Sequence, residues 1–269
     1  MPPAGRSRES GATAWPRAVL FDMDDTIFDH TLTCRAALVA LRRERAFLRR
    51  VALDEQLRTY GSLLATTHVP VMLGRRTSDD ARRDRFRAIA AQAGRPVGPG
   101  EAEALSRAYR AHYQRLRRPV PGAIGLVRAL HRVSRIGVVT NNTVAEQTEK
   151  LSFLGIRSLV DVLVTSEEIG AAKPDPRIYA AALRRTGAAA GEAVMIGDSW
   201  SSDVDGARTA GIRPIWFNRF RIPRPRADPV DEVRSFEPSR KVLEMLRIGP
   251  RPTAVGRRGV RPLHIGRGG

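Results

Sequence analysis

Residues 19–26 form the stretch that most constrains how this chain can fold. A short apolar run, Val-Leu-Phe, is followed by three carboxylates within four positions, Asp22, Asp24 and Asp25. This pattern predicts a buried strand with a negatively charged segment at its carboxyl end. Because carboxylates this close repel one another, a cation or a basic side chain from elsewhere in the chain is expected beside them. Mg²⁺ prefers such oxygen ligands, so the strand end is a candidate metal site.

Residues 29–118 have a different pattern, in which apolar residues recur at the 3.6-residue spacing of amphipathic helices. The predicted helices span residues 32–50, 53–66, 78–93 and 100–117, with breaks at Val69-Pro70, at residues 94–96 and at residues 119–122. No strand is needed here. A helical block between two turn-rich segments predicts a second domain inserted into the first.

From Pro121 onward, predicted helices and strands alternate. The helices span residues 122–133, 144–154, 176–186 and 202–210, and the strands span residues 135–140, 160–165, 193–196 and 213–217. A last edge strand at residues 232–236 and a helix at residues 239–246 follow. Since parallel strands need crossover helices, the alternation predicts an α/β fold with a parallel sheet covered on both faces.

Polar residues follow several of these strands. The second strand ends at Thr140 and Asn141, Lys173 lies beyond the third, and Asp198 follows the fourth. Ligands of parallel sheets bind outside the carboxyl ends of the strands. We therefore expect these side chains to meet the carboxylates of the first strand in one small volume.

The net charge of +18 is concentrated partly at the two ends of the chain. Residues 247–269 contain six Arg and no acid, and residues 1–17 contain three Arg against Glu9. We predict a disordered arm at residues 1–17 and a basic disordered tail at residues 249–269, because such composition buries too little apolar surface to offset chain entropy.

The charge alone is weak evidence for nucleic-acid binding. Only three of the 46 basic residues are Lys, and this preference for Arg is more typical of a GC-rich genome than of a binding surface. No helix-turn-helix, zinc-finger spacing or aromatic-rich basic sheet accompanies the charge, which disfavours nucleic acid as a partner.

The chain has no run of about 18 apolar residues, and its first 16 residues lack the apolar centre of a secretory signal. We therefore predict a cytoplasmic protein without membrane association. The single cysteine, Cys34, is predicted to be a small buried side chain. Four histidines have no metal-ligand spacing and are assigned packing or surface roles: His30, His68, His112 and His131.

Four motifs, in this order, resemble those of the haloacid dehalogenase superfamily of hydrolases. They are Asp-x-Asp-x-Thr at residues 22–26, Thr140, Lys173 followed by Pro174, and Gly-Asp-x-x-x-x-Asp at residues 197–203. The resemblance covers residues 18–218 and implies a Rossmann-like, doubly wound core of residues 18–28 and 119–248. The helical insertion at residues 29–118 resembles the C1 type of cap domain of that family.

The resemblance also implies roles for the acidic residues. Asp22 would be a nucleophile that forms an aspartyl-phosphate, and Asp24 would be the general acid and base. Asp22, Asp198 and the backbone carbonyl of Asp24 would bind Mg²⁺. Asp203 would act on the metal through water or outside its ligands, or it would only cap the helix that it opens. Asp25 is expected to be solvated, as is Asp205.

Three further residues are assigned to the phosphoryl group. Lys173 would offset the charge of the nucleophile, while Thr140 and Asn141 would contribute hydrogen bonds to the transferring group. In a chain that uses Arg for nearly all its cations, a Lys before Pro174 indicates a need for a compact point charge. A plain surface role for Lys173 is the alternative.

Asp24 favours a phosphatase over a dehalogenase, because a halide leaves without a proton. The prediction is a Mg²⁺-dependent hydrolase of a small phosphorylated metabolite. A nucleoside 5′-monophosphate is one candidate, since residues 74–86 and 216–219 look similar to family members that act on nucleoside monophosphates and on small sugar or acid phosphates. A phosphosugar mutase and a basic nucleic-acid-binding protein on a degenerate scaffold are the alternatives. Whether the protein is a monomer or a homodimer is left open.

Substrate choice is expected to lie with the helical insertion, which would close over the site. Six arginines there could offer a cation to an acidic substrate, although their helical spacing favours a solvated face: Arg75, Arg76, Arg82, Arg83, Arg85 and Arg87.

Overall fold

The computed structural model describes residues 15–247. The predicted basic tail and most of the predicted N-terminal arm lie outside the described residues. Residues 15–17, which were expected to belong to the disordered arm, precede the first strand, and the backbone of Arg17 bonds to segments on both sides of it. The Arg17 backbone N–H donates to the Glu192 carbonyl at 2.8 Å, and its carbonyl accepts from the Arg135 N–H at 2.9 Å.

Six parallel strands form one sheet in the order β3-β2-β1-β4-β5-β6. The strands are β1 (Ala18–Phe21), β2 (Arg135–Thr140), β3 (Val162–Thr165), β4 (Ala193–Gly197), β5 (Arg213–Phe217) and β6 (Asp231–Val233). In the central strand, Phe21 lies opposite Val138 of β2 and Ile196 of β4. Asp22 therefore leaves the sheet between the ends of β2 and β4.

The first five of the six helices between β1 and β2 form a segment that contains no strand, called here the five-helix segment. They are α1 (His30–Glu44), α2 (Leu53–Thr67), α3 (Val69–Met72), α4 (Ser78–Gln92) and α5 (Pro99–Arg115). Leu38 and Leu41 of α1, Phe86 of α4 and Tyr109 of α5 are buried together in a hydrophobic cluster. This cluster is separate from those that cover the sheet.

The remaining helices accompany the strands. They are α6 (Ala123–Leu130), α7 (Val144–Phe153), α8 (Ser166–Ile169), α9 (Pro176–Thr186), α10 (Gly206–Thr209) and α11 (Ser239–Leu246). Alternate residues of β1 face opposite ways: Phe21 packs in a cluster with Leu126 of α6, and Leu20 packs in a cluster with Tyr179 of α9. The sheet is buried on both faces, so the predicted doubly wound α/β fold is confirmed.

Several predicted element boundaries are wrong for local reasons. The predicted helix at residues 32–50 ends at Glu44, and a 3₁₀ turn at Ala46–Arg50 follows it. The predicted break at Val69-Pro70 falls one residue earlier, at His68 between α2 and α3, because proline is tolerated in the first turn of a helix and Pro70 lies in the first turn of α3.

The predicted helix at residues 202–210 begins two residues earlier as a π-helical turn, Trp200–Asp205. The Val204 N–H reaches back five residues to the Ser199 carbonyl at 3.3 Å. The Ser199 side chain caps this turn by accepting from the Ser202 N–H. The alternative that Asp203 serves as the helix cap is therefore wrong.

Within residues 15–247, none of the helices has the length and apolar character needed to span a bilayer.

Candidate active site

Lys173 lies between two carboxylates at the end of the central strand. Its Nζ donates to Asp22 Oδ1 at 2.6 Å and to Asp203 Oδ1 at 2.7 Å. Burial lowers the pKa of Lys173, but the charges of Asp203 and Asp22 outweigh burial and raise that pKa well above its usual value. The side chain is a buried ammonium, so the alternative of a surface Lys173 is wrong.

Three carboxylates crowd around this one ammonium. Oxygens of Asp22, Asp198 and Asp203 all lie within 4.8 Å of one another. Burial raises the pKa of Asp22 to about 7 against the opposing effect of Lys173, and burial together with the charge of Asp22 raises the pKa of Asp198. The cluster holds more negative charge than Lys173 can neutralise. A hard cation with oxygen ligands fits this set of donors.

The two oxygens of Asp203 are already engaged. Oδ1 accepts from Lys173, and Oδ2 accepts from the Ser199 N–H at 3.0 Å. Asp203 thus links the lysine to the loop that carries Asp198. This arrangement agrees with a residue that positions the site from outside the metal ligands.

Thr140 ends β2, Asn141 follows it, and both line the same cavity of about 190 Å³ as Asp22 and Lys173. The Thr140 hydroxyl accepts from Gln147 Nε2 at 3.2 Å, which leaves its own proton free to donate. Asn141 Oδ1 accepts from the Lys173 N–H at 2.6 Å, and its Nδ2 donates to the Lys173 carbonyl at 3.0 Å. The Asn141 amide thus fixes the lysine loop, and its contact with a substrate stays a prediction.

Asp24 has a partner that sequence reasoning missed. Lys150 Nζ donates to Asp24 Oδ1 at 2.7 Å and Oδ2 at 2.9 Å, and Gln147 Nε2 donates to Oδ2 at 3.1 Å. Burial would raise the pKa of Asp24, but Lys150 outweighs it and holds that pKa far below its usual value. The Asp24 carboxylate is therefore held ionised and fixed in position.

A signal for Lys150 was present in the sequence. It is one of only three lysines, and on α7 it lies three residues after Gln147 and four after Glu146. These spacings place all three side chains on one helix face. In the structure Lys150 also contacts Glu146 Oε1 at 3.3 Å, so one ammonium serves two carboxylates.

The comparisons with known proteins agree with this geometry. The family model of haloacid dehalogenase-like hydrolases matches residues 16–211, most of the chain. The chain belongs to this family of hydrolases. The resemblance inferred from the four motifs is confirmed.

Two relatives of this haloacid dehalogenase-like hydrolase span most of its length. It is 32% identical over 203 residues to the ribulose-1,5-bisphosphate 5-phosphatase of Halopiger xanaduensis, covering 75% of this chain and 84% of the relative. It is 29% identical over 208 residues to the pyrimidine 5′-nucleotidase YjjG of Escherichia coli, covering 77% of this chain and 88% of the relative.

A solved structure is similar over nearly the whole described chain. It is the HAD-hydrolase YfnB of Bacillus subtilis, solved bound to magnesium, with 25% identity and a TM-score of 0.67. The likeness covers 86% of this chain and 99% of YfnB.

Two acids expected to be solvated are not free in this hydrolase. Asp25 adopts a left-handed backbone with φ of 61° and accepts from the Thr31 N–H at 2.9 Å and the Thr31 hydroxyl at 2.6 Å. It thereby ties the loop after β1 to the first turn of α1. Asp205 is half-buried and pairs with Arg226.

A second cavity of about 220 Å³ opens between the five-helix segment and the sheet. Asp24 and Asn141 line both this cavity and the one beside Asp22. Its other walls include Tyr60, Tyr109, Tyr113, Arg82 and Arg85. Because Arg82 and Arg85 are 7% and 4% exposed, the expectation of a solvated face is wrong for these two arginines.

Two histidines also line this cavity, His30 and His68. His30 Nδ1 lies 3.8 Å from Asp24 Oδ1 and 2.9 Å from the Tyr113 hydroxyl. Cys34 is buried as expected, with its Sγ 3.4 Å from His30 Nε2. His30 was assigned only a packing or surface role, but it lies beside Asp24, the proposed acid and base.

Proposed function

We propose that this chain is a Mg²⁺-dependent phosphomonoester hydrolase that acts on a small phosphorylated metabolite through phosphorylated Asp22. The observation that carries the proposal is the buried Asp22 carboxylate, held by Lys173 beside Asp198 and Asp203. The relatives named as a phosphatase and as a nucleotidase support phosphoester hydrolysis.

Asp22 has the environment of a nucleophile. Its Oδ1 accepts from Lys173, and within the described chain its Oδ2 has no hydrogen-bond donor and is free to attack. In the proposed first step, a bond forms between this oxygen and phosphorus while the bond from phosphorus to the leaving oxygen breaks. The electron pair of that bond goes to the leaving oxygen, which must then gain a proton.

Asp24 is suited to the second step. As an ionised carboxylate it can accept a proton from the water that attacks phosphorylated Asp22, which releases phosphate and restores the free Asp22. Its role as the acid in the first step requires it to carry a proton, which the contact with Lys150 opposes. We infer that Lys150 keeps Asp24 ionised for its role as the base. For its role as the acid, Asp24 must move from Lys150 toward the leaving oxygen.

The metal would be held by Asp22, Asp198 and the backbone carbonyl of Asp24, with Asp203 acting through Lys173 and Ser199. Trp216 Nε1 donates to the Asp198 carbonyl at 2.8 Å and thereby fixes the loop of this ligand. When bound, Mg²⁺ would offset the charge of the phosphoryl oxygens and of the carboxylates.

We further propose that residues 29–118 form a cap domain over a core of residues 18–28 and 119–248. The cavity that lies between the two, beside Asp24, is where the cap would meet the substrate.

The proposal is tested by hydrolysis of para-nitrophenyl phosphate with and without Mg²⁺. Asp22→Asn removes the nucleophile while keeping its size, and we expect turnover to fall by about 10³-fold or more. Asp228→Asn, a change in a surface acid paired with Arg208, is the matched control and should keep full activity. Full activity of Asp22→Asn would overturn the nucleophile assignment.

A further inference from the structure

Arg85 is a buried cation on the wall of the cavity beside Asp24. Its side chain belongs to α4, and the residue is 4% exposed. Nη1 donates to the Thr67 hydroxyl at 3.2 Å, and the guanidinium carbon lies 5.5 Å from the ring centre of Tyr60. Nε is buried without a partner, and within residues 15–247 no carboxylate lies within 4.0 Å of this guanidinium. A buried charge without a counter-charge is unfavourable, so an anion is expected to complete it.

The other arginines of the cavity already have acidic partners. Arg82 Nη1 lies 2.5 Å from Asp79 Oδ1, and Arg110 Nη2 lies 3.4 Å from Glu149 Oε2. Both acids are in contact with solvent. Among the arginines of this cavity, Arg85 is the one whose charge the described residues leave unmatched.

The acidic residues of the cavity do not neutralise Arg85 either. Asp24 and Glu146 both lie against Lys150, at 2.7 Å and 3.3 Å. Lys150 therefore offsets one of these two negative charges, and both acids are drawn to the side of α7 rather than to Arg85.

The position of Arg85 suits a group at the far end of a substrate. Because Asp24 and Asn141 line both cavities, a molecule with its phosphoryl group at Asp22 can extend into the cavity of Arg85. That cavity measures about 220 Å³, which is below the range of roughly 300–1,000 Å³ usual for ligand pockets. Its volume favours a small substituent over a nucleoside.

We propose that Arg85 binds a carboxylate of the substrate, which makes the substrate a small phosphorylated carboxylic acid. The planar guanidinium matches a carboxylate in shape and in charge. Nε and Nη2 lie on one edge of the guanidinium, and neither has a hydrogen-bond acceptor in the described chain. This inference rests on the proposed phosphatase function, since it assigns the other end of the same substrate.

Binding can be measured without turnover by titration calorimetry of the full chain with Mg²⁺ and two phosphonates of similar size. Phosphonoacetate carries the carboxylate, and ethylphosphonate carries a methyl group in its place. We expect wild type to bind phosphonoacetate about 10- to 100-fold more tightly. Arg85→Met should bring the two affinities within about threefold of each other, chiefly by weakening phosphonoacetate.

Arg87→Met is the matched control, because Arg87 lies on the same helix and is exposed. It should keep the wild-type preference for phosphonoacetate. Arg85→Lys retains the charge in case the methionine variant fails to fold, and it should keep part of the preference. The same preference should appear in kcat/KM for 3-phosphoglycerate over glycerol 3-phosphate, a pair that differs in one carboxylate.

Equal affinity of wild type for the two phosphonates, or no binding of phosphonoacetate, would overturn the inference. A preference that survives in Arg85→Met, or a higher kcat/KM for cytidine 5′-monophosphate than for 3-phosphoglycerate, would do the same. The proposed function fails separately. If para-nitrophenyl phosphate is not hydrolysed but the phosphonate preference depends on Arg85, carboxylate binding stands without the phosphatase assignment.

Discussion

Lys150 Nζ donates to both carboxylate oxygens of Asp24, at 2.7 and 2.9 Å, across 126 residues of sequence. This contact joins α7 to the loop that follows the central strand. Lys150 is 2% exposed, so solvent weakens this ion pair little on the lysine side. Asp24, the proposed acid and base, is therefore held in position and ionised before any substrate enters.

Replacing Lys150 should lower activity without removing the nucleophile. In Lys150→Met, Asp24 loses the ammonium that holds both of its carboxylate oxygens, so the general base is no longer fixed in position even though its pKa rises. We expect kcat to fall by about 10- to 100-fold, within what general base catalysis supplies. Steady-state kinetics on para-nitrophenyl phosphate measures this, with the exposed Lys241→Met as control. Recovery in Lys150→Arg would show a charge role, whereas unchanged kcat in Lys150→Met would contradict one.

Asp24→Asn should affect substrates according to their leaving groups. An alkoxide needs a proton to leave and nitrophenolate does not, so the first step should slow far more for glycerol 3-phosphate. With para-nitrophenyl phosphate, Asp22 should still be phosphorylated once. The aspartyl-phosphate should then be hydrolysed slowly. Stopped-flow absorbance should show a burst of nitrophenol close to one per active site. Equal loss on both substrates with no burst would argue against this division of steps.

Mg²⁺ should stabilise the protein more at neutral than at acidic pH. Burial raises the pKa of Asp22 from 3.8 to about 7, so without a metal its contribution to stability is present below pH 3.8 and is lost as pH rises to about 7. Mg²⁺ binds the ionised form and reverses this loss. At about a hundredfold excess over Kd we expect the Tm to rise by about 5 °C near neutral pH.

The rise in Tm should be smaller at about pH 5, where protons compete for the same carboxylates. Differential scanning fluorimetry at the two pH values measures both shifts. Asp198→Asn should abolish most of the shift, because Asp198 is one of the three clustered carboxylates. A shift that is equal at both pH values, or that persists in Asp198→Asn, would place the metal elsewhere.

The absence of a side chain at Gly197 leaves room for the carboxylate of Asp203. A Cβ at Gly197 would lie 2.3 Å from Asp203 Cγ, so Gly197→Ala must displace the carboxylate that holds Lys173 and the Ser199 N–H. We expect the free energy of unfolding to fall by about 1–3 kcal/mol. Urea unfolding measures the change, and activity should fall with it. Gly125→Ala, whose added Cβ meets nothing within 4 Å, should be neutral or slightly stabilising.

The sequence was sufficient for the sheet and for much of the site. Strand periodicity located β2 and β5 to the residue. Because parallel strands end at one edge, the order of the strands alone brought Asp22, Thr140, Lys173 and Asp198 together. Asp22 and Asp198 come directly after strands, Thr140 ends a strand, and Lys173 follows β3 after the short helix α8, so the local pattern determines most of their positions.

The missed contacts depend on how the helices pack on the sheet. Lys150 reaches Asp24 only because α7 lies against the loop after β1, and Arg85 is buried only because α4 turns that face toward the cavity. Helical spacing gives the face of a residue but not the neighbour that covers it. The π-helical turn before α10 also escaped prediction, since it arises from the backbone contact of Val204 with Ser199.

The most direct test of the central claim is to trap phosphorylated Asp22. Wild type and Asp24→Asn are quenched in acid during turnover of para-nitrophenyl phosphate with Mg²⁺, reduced with borohydride and mapped by peptide mass spectrometry. Reduction converts a phosphorylated aspartate to homoserine. We predict homoserine at position 22, more of it in Asp24→Asn, and none in Asp22→Asn. Turnover with no modification at position 22, or with modification at another carboxylate, would contradict the mechanism.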